Sequence, residues 1–329
     1  MEQILPIVFM AVMGLALFMY VVLDGFDLGI GMLLPLASDD DKDKMIDAIG
    51  PFWDANETWI VLGIGVLLIA FPKAHGMILT ALYLPVTLML FGLIIRGVAF
   101  DFRVKAGDGR KDLWNGLFFL GSLVASVSQG WMLGAYITGL ESSVTSHVFS
   151  LLVAVTLPSA YILLGAGWLL IKAEGALFET AIVWAKTALL PAALALLVVS
   201  IATPIASSAI ADKWFVLPNF IGLLPIPLTS ILVFAVIAVF LMRPELTRRA
   251  HWVVFAGVTY LCVMAALGLA YSLFPDIVVN KMTIWEAHAA TESLLFVLVG
   301  VVLTVPMILG YTVYVYRVFS GKSEGLRYD

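Results

Sequence analysis

The sequence is short of the residues on which most soluble chemistry rests. It has one cysteine, Cys262, and four histidines in 329 residues. A single thiol excludes an intrachain disulfide, a CxxC redox pair and a thiolate metal cluster. There is no phosphate-binding GxxxxGK[ST] loop, no HExxH zinc signature and no glycine-rich dinucleotide fingerprint in a strand context. The acidic tract DDDKDK at 39–44 lacks the twelve-residue ligand order of an EF-hand. It reads as a solvated loop. Charge is scarce as well, at 12% of residues, where a soluble domain carries roughly a quarter.

What replaces these groups is apolar surface. Hydrophobic residues make up 62% of the chain, and the mean hydropathy is +1.05. No water-soluble fold of this length could hide that much apolar area, so the bilayer is the expected solvent. The net charge of −5 says little about partners, because in membrane proteins the position of charges matters more than their sum. Nothing points to nucleic acid. The N-terminus, MEQILPIVFM, has no basic n-region or small-residue cleavage site and reads as the start of the first span.

A spanning helix needs about 20 apolar residues. Such runs lie near 6–36, 55–72, 77–99, 115–138, 147–171, 179–203, 219–242, 251–274 and 290–317. The runs are continuous rather than alternating, which favours helices over a β-barrel. The expected fold is an all-α polytopic membrane protein of nine spans, forming one transmembrane domain over 1–329. Pro218, Pro225 and Pro227 crowd the start of the seventh run and predict a kink or delay there.

The loops carry an orientation signal. With the N-terminus outside, the inner segments hold thirteen basic residues: Lys42, Lys44, Arg103, Lys105, Arg110, Lys111, Lys172, Arg243, Arg248, Arg249, Arg317, Lys322 and Arg327. The outer connections hold three, Lys73, Lys213 and Lys281. This asymmetry places the N-terminus outside and the C-terminus inside; the expected setting is a bacterial inner membrane, with the N-terminus in the periplasm and the C-terminus in the cytoplasm.

The acids of the first spans are the informative residues. Asp24 and Asp27 are three apart in VVLDGFDLGIG, so they share a helical face within the first span. Gly25, Gly29 and Gly31 flank them and permit close helix packing. Asp54, Asn56 and Glu57 follow in PFWDANETW, where Pro51 suits a helix start and Trp53 and Trp59 suit an interfacial belt. The third span leaves the membrane through Arg96, Asp101 and Arg103. The topology gathers these seven charged residues at the inner face. Intramembrane carboxylates are costly unless paired, hydrated or protonated. Asp54, Asp24, Asp27 and Glu57 are therefore candidates for a proton path. Arg96, Asp101 and Arg103 are candidates for charge pairing or an interface, with Lys186 in the sixth span and Glu292 in the ninth. The bland reading is helix capping by Asp54 and Glu57 and a packing ion pair between Arg96 and Asp24 or Asp27.

At these residues the sequence resembles a known family. The blocks DGFDLGIGML at 24–33, GPFWDANETWIVLGIG at 50–65 and RGVAFDFR at 96–103 are similar to subunit II of cytochrome bd quinol oxidases. TIWEAHAATESL and VPMILGYTVYVYRVF, ending at 319, are similar to that family's last span. The resemblance implies two four-helix bundles plus a peripheral helix. It implies a haem-free partner of a haem-bearing subunit I, in a complex that oxidises quinol and reduces O2 to water. The b-type and d-type haems would lie on subunit I. A structural quinone, lipids and small accessory subunits are further partners the family admits. Asp54 matches an acidic residue of the family's proposed cytoplasmic proton path, and Asp24 and Asp27 match its DGFD motif.

A haem-binding span would place His or Met ligands in mid-span. His75 and His288 fall in outer segments, His147 and His251 at span edges, and none in mid-span. The thirteen methionines have no repeated spacing. This chain is thus expected to bind no cofactor or metal and to hold no catalytic residue of its own. His288 and Glu292, four apart, read as an interfacial pair. Trp114, Trp131, Trp168, Trp184, Trp214, Trp252 and Trp285 read as anchors. The competing function is an ion-coupled secondary transporter or channel using the same acids.

Overall fold

A computed structural model describes residues 2–322; Arg327 lies outside them. Uninterrupted apolar sequence leaves the backbone no partner but itself in lipid, and the chain folds almost wholly into helices. In chain order these are α1 (Ile4–Leu33), α2 (Asp39–Ile49), α3 (Trp53–Ala70), α4 (Pro72–Ala81) and α5 (Tyr83–Lys105). There follow α6 (Lys111–Ile137), α7 (Val144–Lys172), α8 (Gly175–Ala206), α9 (Ser208–Trp214) and α10 (Asn219–Leu223). The last are α11 (Pro225–Met242), α12 (Pro244–Arg249), α13 (Trp252–Leu273), α14 (Ile284–Ala287) and α15 (Thr291–Val318). Among the described residues, nine helical segments are long and apolar enough to cross a membrane. They are built on α1, α3, α5, α6, α7, α8, α11, α13 and α15, and the chain is a multi-pass membrane protein.

Helices α1, α3, α5 and α6 pack as one group, and α7, α8, α11 and α13 as a second. The groups meet where α7 lies against α1 and α6. Helix α15 is peripheral, with only Leu294, Val301 and Val315 buried. Glycines set the closest crossings. A Cβ on Gly29 would stand 1.8 Å from the Tyr161 carbonyl oxygen, and one on Gly165 would stand 2.6 Å from the Ile30 nitrogen. The backbones of α1 and α7 are therefore in direct contact, the packing that small residues permit in lipid. From Val22 to Leu34 every residue is buried, so the second half of α1 is the centre of the molecule.

The two ends of the bundle are defined by contacts. At one end Trp285 donates to Gln3, Lys73 to Glu286, Lys281 to Leu140 and Lys213 to Ser272. A two-stranded antiparallel hairpin, β1 (Asp276–Val278) and β2 (Met282–Thr283), closes this end. At the other end Arg103 pairs with Asp43, Arg248 with Glu179, and Lys322 donates to Ala173.

Several expectations need correction. The tract at 39–49 is not a loop but helix α2, capped by Ser38 and started by three aspartates, with Met45, Ile46, Ala48 and Ile49 buried. Acids in a first turn suit the helix dipole, and the apolar spacing gives the helix one face to bury. The third span begins at Tyr83, not 77, because α4 and α5 break at Leu82. Pro85 sits in the first turn of α5, where its missing N–H is not needed, but the unbroken apolar run masks the turn. His75 accordingly lies in α4. Pro51 lies in the turn before α3, which starts at Trp53. The break expected at the start of the seventh run is present: Pro218 precedes α10 and Pro225 opens α11. Trp59 and Trp168 are core residues, 1% and 5% exposed. Trp168 stacks on Phe26 at 4.4 Å and donates its indole N–H to Ala48 at 3.0 Å, which satisfies its polar edge. Trp184 is buried as well.

Candidate functional site

Four of the seven clustered charges meet inside the first helical group. Asp24 and Asp27 lie one turn apart on α1, with Glu57 on α3 and Arg96 on α5. Asp24, Asp27 and Arg96 are all 0% exposed. Asp24 and Arg96 each lie nine residues before the end of their helix, roughly 14 Å along the axis. Arg96 Nη2 stands 2.6 Å from Asp24 Oδ1 and 3.4 Å from Glu57 Oε2. Glu57 is the member with outside contact, its side chain 23% exposed.

Asp27 is held differently. Asn56 Nδ2 donates to Asp27 Oδ2 at 2.8 Å and to the Leu23 carbonyl at 3.3 Å. The Asn56 carbonyl oxygen accepts from the Tyr316 hydroxyl at 3.0 Å. A third unit lies deeper. Tyr20, one turn before Asp24, accepts from Gln129 Nε2 at 2.7 Å, and the Tyr161 hydroxyl donates to Gln129 Oε1 at 2.7 Å. Two carboxyl groups thus share one guanidinium, and a third is held by an amide beside them, among buried polar groups drawn from α1, α3, α5, α6, α7 and α15. Asp24 Oδ2 and Asp27 Oδ1 accept no hydrogen bond from the described residues.

The other candidates stand apart. Asp54 is exposed in the first turn of α3 and caps no backbone N–H with its side chain. Asp101 is exposed on α5. Arg103 is buried but serves a separate contact, donating to Asn115 at 2.5 Å and Asp43 at 2.7 Å. Lys186 is exposed on α8, and Glu292 on the first turn of α15. His288 and Glu292 do not share a helical turn, because the helix is interrupted between Ala287 and Thr291. His288 Nδ1 lies instead 2.6 Å from the Ala289 oxygen. The expected single cluster is therefore a buried core of four, with Asp54 and Asp101 exposed and Arg103 buried in a separate contact.

Tyr20, Gln129, Tyr161 and Tyr316 escaped the reading of the sequence. None of them pairs with a neighbour at helical spacing, and the partners lie 32 to 260 positions apart. Gln129 carried the one available signal, an amide within a span, which requires a partner in lipid. Among the described residues no three His, Cys, Asp or Glu side chains converge as metal ligands.

The family model described as cytochrome bd terminal oxidase subunit II matches residues 5–319. The cytochrome bd-I ubiquinol oxidase subunit 2 of Escherichia coli K12 is 28% identical, over 97% of this chain and 95% of that one. The cytochrome bd ubiquinol oxidase subunit 2 of Bacillus subtilis 168 is 26% identical, over 91% of each. In fold, the chain is similar to one from the bd oxidase of Geobacillus thermodenitrificans, with a TM-score of 0.77 at 18% identity, covering 96% of this chain and 98% of that chain.

Proposed function

The chain belongs to the cytochrome bd terminal oxidase subunit II family, and from that premise we propose that it supplies a proton route to a quinol-oxidising, O2-reducing complex. Its partner is a haem-bearing subunit I, and the b-type and d-type haems reside there. The basic end of the bundle faces the cytoplasm, and the N-terminus faces the periplasm. This orientation draws on the thirteen-to-three asymmetry of loop charges.

The observation that carries the reading is the Asp24–Arg96–Glu57 group with Asp27 beside it. Arg96 neutralises one carboxylate. Each further buried ion would cost several kcal/mol of desolvation, so the group is most stable with a proton on a remaining carboxyl. That proton is exchangeable because Glu57 reaches the surroundings. Arg96 keeps a fixed positive charge that makes loading and release sensitive to the neighbours. The route runs from Glu57 to Asp24 and Asp27. Asp54, exposed on α3 about one turn before Glu57, is its collecting group at the cytoplasmic side. The chain supports assembly through the surface that its lipid-exposed spans present to subunit I.

The test uses the assembled complex. Asp24→Asn, Asp27→Asn, Glu57→Gln and Asp54→Asn preserve shape and remove ionisation. Quinol-driven O2 consumption is expected to fall while haem content stays near wild type. Unchanged turnover in all four overturns the route. Loss of haem together with turnover assigns the residues to assembly instead.

A further inference from the structure

Helix α15 is the least buried span, yet it delivers Tyr316 to the acid network. Something must seat its last turn. The C-terminal ends of α7 and α15 lie together at the basic end of the bundle and exchange lysines. Lys172, in the last turn of α7, donates its ammonium to the Phe319 carbonyl, the C-cap of α15. Lys322, just beyond α15, returns the contact, donating to the Ala173 carbonyl at 2.9 Å and the Leu170 carbonyl at 3.4 Å, both at the end of α7. Each helix end thus satisfies free carbonyls of the other with a cation, where the helix dipole also favours one.

Aromatic rings lock the same place. Lys172 Nζ stands 5.1 Å from the Phe52 ring centroid and 5.4 Å from that of Trp168, within cation–π range. The Tyr316 ring packs on Phe52 at 4.6 Å and against Trp168 at 5.7 Å. Lys172 is 5% exposed, although its partner Phe319 lies at the surface. The same two rings therefore touch both Lys172 and Tyr316, and the Tyr316 hydroxyl reaches Asn56, which binds Asp27.

Resting on the reading of these acids as a proton route, we propose that Lys172 is a positioning residue, clasping the end of α15 so that the Tyr316 hydroxyl holds Asn56, and through it Asp27, in place. The ion-pair and hydrogen-bond partners of Asp24, Asp27 and Glu57 are Arg96 and Asn56, not Lys172. Lys172 acts through the seat of Tyr316.

The experiment uses the assembled oxidase with Lys172→Met, Lys172→Arg, Tyr316→Phe and the Lys172→Met/Tyr316→Phe double variant. O2 consumption is read across pH. In parallel, 3-fluorotyrosine at position 316 reports the phenol's surroundings by fluorine NMR. Lys172→Met and Tyr316→Phe are expected to lower turnover by roughly three- to tenfold, the rate equivalent of one lost hydrogen bond, and to distort the pH profile alike. The double variant should be no worse than either single one, Lys172→Arg should recover most of the rate, and the fluorine resonance should move in Lys172→Met. A resonance left at its wild-type position, or rate losses that multiply in the double variant, overturns the assignment. A moved resonance with unchanged turnover in every variant, Asp27→Asn included, overturns the proton route and the functional half of this assignment, and leaves Lys172 only as the seat of Tyr316. Should Lys172→Met fail to assemble, Lys322→Met removes the other half of the clasp and is read in the same way.

Discussion

Asp24 and Arg96 stand 2.6 Å apart with neither side chain more than 1% exposed, so each is the other's main compensation for leaving water. Removing one partner should cost more than removing both. Arg96→Leu alone is expected to destabilise the protein by about 3–5 kcal/mol, the usual cost of stranding a buried charge, and Asp24→Leu/Arg96→Leu should recover much of it. Thermal unfolding of the detergent-solubilised complex measures both. A double variant as unstable as the single one would show that the pair does not set the stability here.

The crossing of α1 and α7 gives a second expectation. Gly29→Ala places a methyl group against backbone, 1.8 Å from the Tyr161 oxygen, which no side-chain rotation relieves. A loss of about 3 kcal/mol or more is expected, at the upper end of overpacking effects. Gly14→Ala on the same helix meets nothing within 4 Å and should be neutral or stabilise by up to about 1 kcal/mol. Equal stability of the two variants in a denaturation assay would contradict the contact.

Asn56 joins three groups at once, and its replacement strands them. Asn56→Leu leaves Asp27 Oδ2 without its donor and the Tyr316 hydroxyl without its acceptor. A destabilisation of about 2–3 kcal/mol is expected. Tyr316→Phe should add little on that background, since the bond it removes is already gone. A double-mutant cycle in thermal stability reads this directly, and full additivity would count against the contact.

At the opposite end of the bundle, Glu286 and Thr283 form a reciprocal cap on α14. Glu286 Oε2 accepts from the Thr283 N–H at 2.8 Å and from its hydroxyl at 2.9 Å. These bonds, the backbone one foremost, hold the Glu286 carboxyl below its ordinary range. A carboxylate with a depressed folded pKa stabilises above its unfolded value, and that contribution fades as pH falls through the folded one. The cap should therefore be fully present above roughly pH 4.3 and lost below it. Amide exchange at Thr283 and Glu286, corrected for intrinsic rate, should rise on acidification in the wild type and lack that step in Glu286→Gln. The same step in both would refute it.

The nine spans were legible because each is a long apolar run set off by charge. The pairing of Asp24 and Asp27 on one face was legible because helical spacing demands it. Other features were hidden for stated reasons. Leu82 breaks a helix inside an unbroken apolar stretch, where hydropathy carries no contrast. The tract at 39–49 looked like a loop because its first turn is all acid, although the buried Met45, Ile46 and Ile49 share a face. Asp54 and Asn56 lie about 200° apart around α3. Sequence alone could not say which faces inward, because that is decided by helices distant in the chain. The structure turns Asn56 inward and Asp54 outward, which moves the weight of the site from Asp54 to Asp24, Asp27 and Arg96.

The enclosure of α1 from Val22 to Leu34 has a kinetic consequence. Among the described residues, two less buried side chains, Glu57 and Tyr316, join its acids to the outside, and of these two Glu57 carries the carboxyl. On the proposed route every proton bound for Asp24 or Asp27 therefore enters past Glu57. The loading rate is then set by that doorway, however many acids stand behind it.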